Sequence, residues 1–390
     1  MASTDHNHNQ NTALMLPGGG ARGAYQVGVL KAIAEFNTQS TGNPDINPFP
    51  IICGTSAGAI NAGVLGSYAC HFNQGVTEME KVWGEMRSER IFHTDVITTL
   101  RYSLRWFASM YLGFFGFRPP RSLLNNAPLA KLLSNKFIQE GVQKAIKTGV
   151  LHALAINASG YTRSSAISFF QGHANIQEWR RGRREGLRAP LDIQHLLASS
   201  ALPVIFPAAK IGNEYYGDGG MRQTAPLSAP IHLCAKRILV ITTRNQAQDE
   251  VPDSSINYPS LGEIGGAMMD IIFMDNLNAD IDRLIRVNEL VDKLTPKERE
   301  KSNLHKIDVL MIEPSADVRD IAYQHSHEVP NTLRFMLRRF GASGDGSRIR
   351  LPSYLLFERG FCQALIRLGY QDAMAQRDKI QQFLGINTDT

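Results

Sequence analysis

The sequence predicts an α/β fold, a mostly parallel sheet covered by helices. Three observations lead there. Short apolar runs of strand length recur through the first half and again at residues 238–242 and 307–312. Two of them, at 14–16 and 49–53, run into glycine-containing turns. Each turn leads into a segment with helical spacing of apolar or small residues, at 24–36 and 57–69.

The first unit opens with Leu14-Met15-Leu16, which reads as a buried strand, and continues as Pro17-Gly18-Gly19-Gly20-Ala21-Arg22-Gly23. Tyr25, Val27, Leu30, Ile33 and Phe36 then recur at roughly helical spacing. Consecutive glycines leave backbone N–H groups bare, and at a helix N-terminus such donors form an anion site. In acyl transfer they would hold the negative oxygen of the tetrahedral intermediate. Gly18, Gly20 and Gly23 also satisfy G-x-G-x-x-G, the dinucleotide fingerprint. That fingerprint needs an acidic residue ending the second strand, and the nearest candidate, Asp45, precedes that strand instead. A nucleotide-binding or non-catalytic protein built on this loop is the competing class.

The second unit is Phe49-Pro50-Ile51-Ile52-Cys53 followed by Gly54-Thr55-Ser56-Ala57-Gly58. This fits G-x-S-x-G, the turn that lifts a nucleophilic serine to the top of an α/β sheet. Strand, tight turn and helix are its confirming context. Side chains at Gly54 and Gly58 would collide with the strand and helix, and the helix aims its positive end at the serine. The third segment is Tyr215-Tyr216-Gly217-Asp218-Gly219-Gly220, a strand end with Asp218 opening a glycine turn. A turn aspartate ordinarily bonds its own backbone.

Together the three segments, in this order, resemble the patatin-like phospholipase family. The stretch Leu197-Ala198-Ser199-Ser200-Ala201-Leu202-Pro203-Val204-Ile205-Phe206-Pro207 is similar to the family's segment shortly before its catalytic aspartate. The motifs span about residues 14–223. The resemblance implies a three-layer sandwich and a serine–aspartate dyad without histidine. Ser56 would then be the nucleophile and Asp218 the base. Gly18, Gly19, Gly20 and Ala21 would supply the oxyanion hole, with Arg22 reinforcing the positive field. Gly54 and Gly58 would shape the elbow, and Gly219 and Gly220 the aspartate turn. The implied activity is lipid acyl hydrolysis through an acyl-enzyme, with a lipid or acyl-ester substrate and no cofactor.

Such a dyad makes a physical demand. An unperturbed aspartate titrates near 3.9, far below the range of an efficient base. A dry site must raise that pKa, or the oxyanion donors must compensate. The alternative is a Ser…Asp…His triad, whose chain order is met because His232, His305, His325 and His327 all follow Asp218. None of the four stands in a distinctive turn.

The remaining runs complete the outline. Residues 152–157 and 167–170 add strands, and residues 261–294 and 353–384 read as helical. Residues 1–12 are polar and histidine-rich, a disordered tail rather than a signal peptide. Residues 13–390 form one domain, with a helical C-terminal extension from about 261. No run reaches the length of a membrane span. The four cysteines, Cys53, Cys70, Cys234 and Cys362, are scattered, which favours buried thiols in a reducing compartment. No metal-ligand spacing or calcium loop is visible, so metal-independent turnover is expected. Residues 97–121 hold seven aromatics, among them Trp106 and Phe115, and arginines without acids, which fits a contact with anionic membrane surface, a core helix with a few basic side chains, or a cap that lines an acyl channel. The run Arg180-Arg181-Gly182-Arg183-Arg184 reads as a solvated surface loop. A net charge of +5 over 390 residues gives no case for nucleic acid. The expected location is cytoplasmic, either free or peripheral on the inner face of a membrane.

Overall fold

Alternation along the central strands builds the three layers. In a strand, successive side chains point to opposite faces. Leu14, Leu16, Ile52, Leu154, Ile156, Leu239 and Ile241 enter one core. Their neighbours Ala13, Met15, Ile51, Cys53, Ala155, Ile238 and Val240 enter a second core on the opposite face. A sheet apolar on both faces must be covered on both, and it is. A computed structural model of the protein describes residues 11–92, 122–245, 258, 260–302, 304–339 and 350–386.

The strands are β1 (Thr12–Leu16), β2 (Ile51–Thr55), β3 (Ala153–Gly160), β4 (Ala166–Gly172), β5 (Trp179–Arg181), β6 (Arg184–Arg188), β7 (Ala209–Ile211), β8 (Glu214–Asp218), β9 (Arg237–Ile241) and β10 (Asp308–Ile312). They order as β10-β9-β1-β2-β3-β4-β6-β5, with β8 against β3 and β7 against β8. From β10 through β3 every pairing is parallel. Antiparallel pairings join β3 to β4 and β8, β5 to β6, and β7 to β8.

Helices α1 (Ala24–Thr41), α2 (Ala57–Ser67) and α3 (Phe72–Gly84) cover the first face. The helix Arg359–Ala375 packs along α1. Two glycines set that approach: a Cβ on Gly28 would strike the Ile366 carbonyl, and one on Gly369 the Tyr25 carbonyl. The Tyr25 hydroxyl donates to Asp372 at 2.9 Å across the same seam. Leu277 and Leu284 of the helix Asn276–Lys293 pack into the other face.

The structure corrects three expectations. The polar tail stops earlier than residue 12. Thr12 opens β1 opposite Arg237, and the Asn11 carbonyl accepts from the N–H groups of Lys236 and Arg237, so sheet pairing claims both residues. Residues 1–10 lie outside the described residues. The arginine run is not a loop but a hairpin, β5 to β6, turning at Gly182 with φ +60°. Trp179 anchors it by stacking on Phe170 and His232 over Gly186, where any side chain would collide with the indole. Cys53 and Cys362 are buried thiols, whereas Cys234 is exposed. The C-terminal region is largely helical, and β10 adds the outermost strand next to β9.

Candidate active site

The elbow forms where β2 stops. Ser56 has φ 55° and ψ −125°, a conformation that L-residues rarely adopt and that costs on the order of 1–3 kcal/mol. The surroundings hold it there. The Ser56 N–H donates to Ser199 Oγ at 2.9 Å, and Ser199 Oγ donates to the Asn157 carbonyl at 2.5 Å. The Ser56 carbonyl accepts from Ala59 and Ile60, starting α2. Gly58 makes the closest approach, because a Cβ there would collide with the Leu16 and Pro17 carbonyls. The first turn of α2 therefore lies on the end of β1, and Ser56 stands beside the glycine-rich loop. A Cβ built on Gly18 would sit 3.0 Å from Ser56 Cβ.

Strand β3 brings Asp218 to the same place. Its first part pairs with β2 up to Thr55 opposite Asn157. Its end pairs with β8, starting at Asp218 opposite Ala158. Two strands running in opposite directions thus finish next to each other along one edge of β3. The Asp218 N–H donates to the Ala201 carbonyl at 2.8 Å, and Oδ1 accepts from the Gly220 N–H at 2.9 Å. Oδ2 is buried with no formed hydrogen bond among the described residues. The Ser56 hydroxyl lies close enough to favour the charged carboxylate without meeting the geometry of a formed bond. Burial dominates: it pushes the Asp218 pKa up to about 7, against the opposing pull of Ser56 and the Gly220 N–H.

The glycine-rich loop faces this pair. Among the described residues, no protein acceptor takes the N–H groups of Gly18, Gly19 or Gly20, while their carbonyl side is tied down. Gly20 has φ +56° and lies against the Tyr354 carbonyl, so both conformation and space demand glycine. Phe273 covers Gly18, and Phe273 with Ile272 covers Gly220. Asp45, the acid that a dinucleotide site would recruit, is exposed and pairs with His71 at 3.1 Å. It stands before β2, remote from the turn.

The family model for patatin-like phospholipase matches residues 14–231, more than half of the chain. The chain belongs to the patatin-like phospholipase family. Calcium-independent phospholipase A2-gamma of Homo sapiens is 23% identical over 223 residues, 57% of this chain and 25% of that protein. The protein of the same name from Oryctolagus cuniculus is 24% identical over 224 residues, again 57% and 25%. The chain spans about a quarter of the length of these curated relatives. Among solved structures, VipD from Legionella pneumophila is similar at 13% identity and a TM-score of 0.35, covering 95% of this chain and 67% of that one.

In this patatin-like chain an apolar pocket opens from Ser56 and Gly20, with Ile60, Trp83, Leu132, Leu202, Phe206 and Phe357 among its walls. It holds about 540 Å³ of atom-free space, partly open to solvent. Arg22 is not part of it. Its side chain is fully buried, donates to Ser353 Oγ from Nε and Nη2, and lies 3.6 Å from Asp270 through Nη1. The guanidinium stacks on the Tyr354 ring at 3.7 Å. Arg22 is a buried strut that shares Asp270 with Arg244, at 3.6 Å and 3.2 Å, and its contribution to the positive field at the loop stands as a proposal. None of the four later histidines lines the pocket. His232 stacks on Trp179, His325 bonds Glu328 at 2.7 Å, His327 bonds the Gln324 carbonyl, and His305 borders a separate cavity with Asp280. Residues 97–121 lie outside the described residues. No helix among the described residues is long and apolar enough to cross a membrane.

Several residues of the site escape sequence reasoning. Ser199 carried a faint signal, since it lies in the Leu197–Pro207 stretch. Asn61 carried another, as a lone amide among the small and apolar residues of α2. Phe273, Ser353 and Tyr354 carried none.

Proposed function

We propose that this chain is a carboxylic-ester hydrolase that removes acyl groups from lipids through a covalent intermediate on Ser56. The observation that carries the reading is Asp218: fully buried, with a pKa near 7 and an oxygen open beside a serine on a strained elbow. Asp218 takes the Ser56 proton as Oγ attacks the ester carbonyl. The N–H groups of Gly18, Gly19 and Gly20 receive the oxyanion, Ala21 continues their turn, and the apolar pocket receives the acyl chain. The alcohol leaves with the proton. Water then attacks the acyl-enzyme, with Asp218 again as base, and frees the acid and Ser56. Gly54, Gly58, Gly219 and Gly220 keep both turns in place. Family membership supports a lipid ester as the substrate class, and the aromatic, arginine-rich stretch 97–121 is the proposed contact with an anionic membrane surface.

The test compares wild type with Ser56→Ala and Asp218→Asn on a nitrophenyl ester and a phospholipid. A fluorophosphonate should label wild type and not Ser56→Ala. Turnover should fall at least about a thousandfold in either variant, as expected when a nucleophile or its base is removed. Survival of activity in Ser56→Ala would refute the reading.

A further inference from the structure

Three peptide groups carry the candidate oxyanion donors, and each is aimed by what holds its carbonyl. A trans peptide is planar, so its C=O and the following N–H point in opposite directions. No cis bond occurs among the described residues. The Pro17 carbonyl, which opposes the Gly18 N–H, accepts from Gln26 Nε2 at 2.9 Å. The Gly18 carbonyl, which opposes the Gly19 N–H, accepts from Thr243 Oγ1 at 3.2 Å. The Gly19 carbonyl, which opposes the Gly20 N–H, accepts from the Arg22 N–H at 3.1 Å.

The first of these anchors is itself held by a chain of buried side chains. Gln26 Nε2 also donates to the Ile241 carbonyl at 3.2 Å, locking the amide between β1 and β9. Its oxygen accepts from Asn61 Nδ2 at 2.9 Å. Asn61 Nδ2 donates as well to the Gly23 carbonyl at 3.1 Å, at the far end of the loop. Asn61 Oδ1 accepts from Trp83 Nε1 at 2.7 Å. Gln26 and Asn61 are fully buried and Trp83 nearly so. Every polar atom of the two amides is used, which leaves neither free to flip. Trp83 is also a wall of the pocket beside Ser56.

We propose that Gln26, held by Asn61 and Trp83, is a positioning residue that aims the Gly18 N–H at the oxyanion of the transition state. The proposal rests on the hydrolase reading above. It makes the acyl wall and the oxyanion loop one hydrogen-bonded unit. Losing the anchor frees the Pro17–Gly18 peptide to rotate. The substrate is bound as before, while the developing charge loses a donor.

The experiment measures kcat and KM of the full chain on a nitrophenyl ester, per site titrated with a fluorophosphonate. Gln26→Met keeps the length and removes the hydrogen bonds. Trp83→Phe keeps an aromatic ring in the wall while it removes the N–H and part of the indole bulk, and it serves, read on kcat, should Gln26→Met fold poorly. Loss of one oxyanion donor typically costs about a hundredfold to a thousandfold, so we expect kcat down by about tenfold to a hundredfold in Gln26→Met and by less in Trp83→Phe. KM should stay within about twofold in Gln26→Met, as for an interaction made only in the transition state. Inhibition by a trifluoromethyl ketone, whose adduct oxygen occupies the oxyanion site, should weaken in step with kcat/KM. Unchanged kcat per titrated site in both variants, with an active wild type, overturns the positioning role alone. A loss confined to KM in Gln26→Met overturns it as well. A wild type that neither labels nor turns over overturns the hydrolase reading and this one with it.

Discussion

The two sides of the glycine-rich loop are built by different parts of the chain. On one side stand Gln26 and Asn61, close in sequence to the loop and to the nucleophile and inside the stretch that matches the family. On the other stand Phe273, Ser353 and Tyr354, beyond residue 231 and in segments that bear no motif. The first side holds the Pro17 and Gly23 carbonyls at the two ends of the loop, and the second lies against Gly18 and Gly20 between them. The difference teaches that reacting groups and their supports need not share an origin in the sequence. A hydroxyl, a carboxyl and bare amides need particular residue types, and those leave motifs. A wall needs only bulk in the right place, and many sequences supply that.

Removing one of the two sides should have the largest effect. A chain ending at residue 245 loses Phe273, Tyr354, β10 and the helix Arg359–Ala375. It exposes the apolar face of α1 and uncovers Gly18. We expect an aggregating product that does not react with fluorophosphonate. Full labelling of a soluble truncation would show that the amino-terminal side holds the loop alone.

The next effect concerns the buried base. The proposed mechanism needs Asp218 ionised, so kcat/KM should rise with pH through about 7 and level off above it. Stability should move the other way. The unfolded aspartate loses its proton near pH 3.9, whereas the folded one keeps it to about 7. Between those values the folded state holds more protons, so this group makes stability fall as pH rises through the window. Asp218→Asn should therefore melt above wild type at pH 8 while being inactive, with the gap closing towards pH 4. Melting curves at the two pH values decide it. A variant that melts below wild type at pH 8 would mean that the carboxylate is stabilised by partners rather than strained by burial.

The smallest effect sharpens the far side of the loop. Tyr354 donates to Asp270 Oδ1 at 2.7 Å, and Asp270 also pairs with Arg244 at 3.2 Å. Tyr354→Phe keeps the ring under Arg22 and the carbonyl against Gly20. Its cost should be about 1.5–3 kcal/mol, that of one buried hydrogen bond to a charged group, read as a shift in denaturant midpoint. Turnover per titrated site should change by less than about threefold, because no oxyanion peptide loses its anchor.

Much of the arrangement was legible beforehand because it is local. The glycines around Ser56 and the run from Gly18 to Gly20 answer to backbone angles and close approaches within a few residues. The hairpin at Arg180-Arg181 was missed because a basic surface run and a basic edge strand look alike until Trp179 is seen stacked over Gly186. The partners of Arg22 were out of reach of the sequence for a related reason. A cation beside a glycine loop suggests an anion, and the acid it lies against, Asp270, is 248 residues away by numbering (270 − 22) and is shared with Arg244.

By itself, the sequence determined the strand–turn–helix units, the strained serine between Gly54 and Gly58 and the bare amides of the loop. These follow from short-range sterics and from periodicity, which any stretch of chain carries with it. Only the tertiary structure decided that β3 is shared by β2 and β8, so that Asp218 ends beside Ser56. It alone removed water from that carboxyl, and desolvation depends on every atom nearby rather than on the residue itself. It also chose Phe273 and Tyr354 as the cover for the glycines, since packing is settled between surfaces that meet only once the chain has folded.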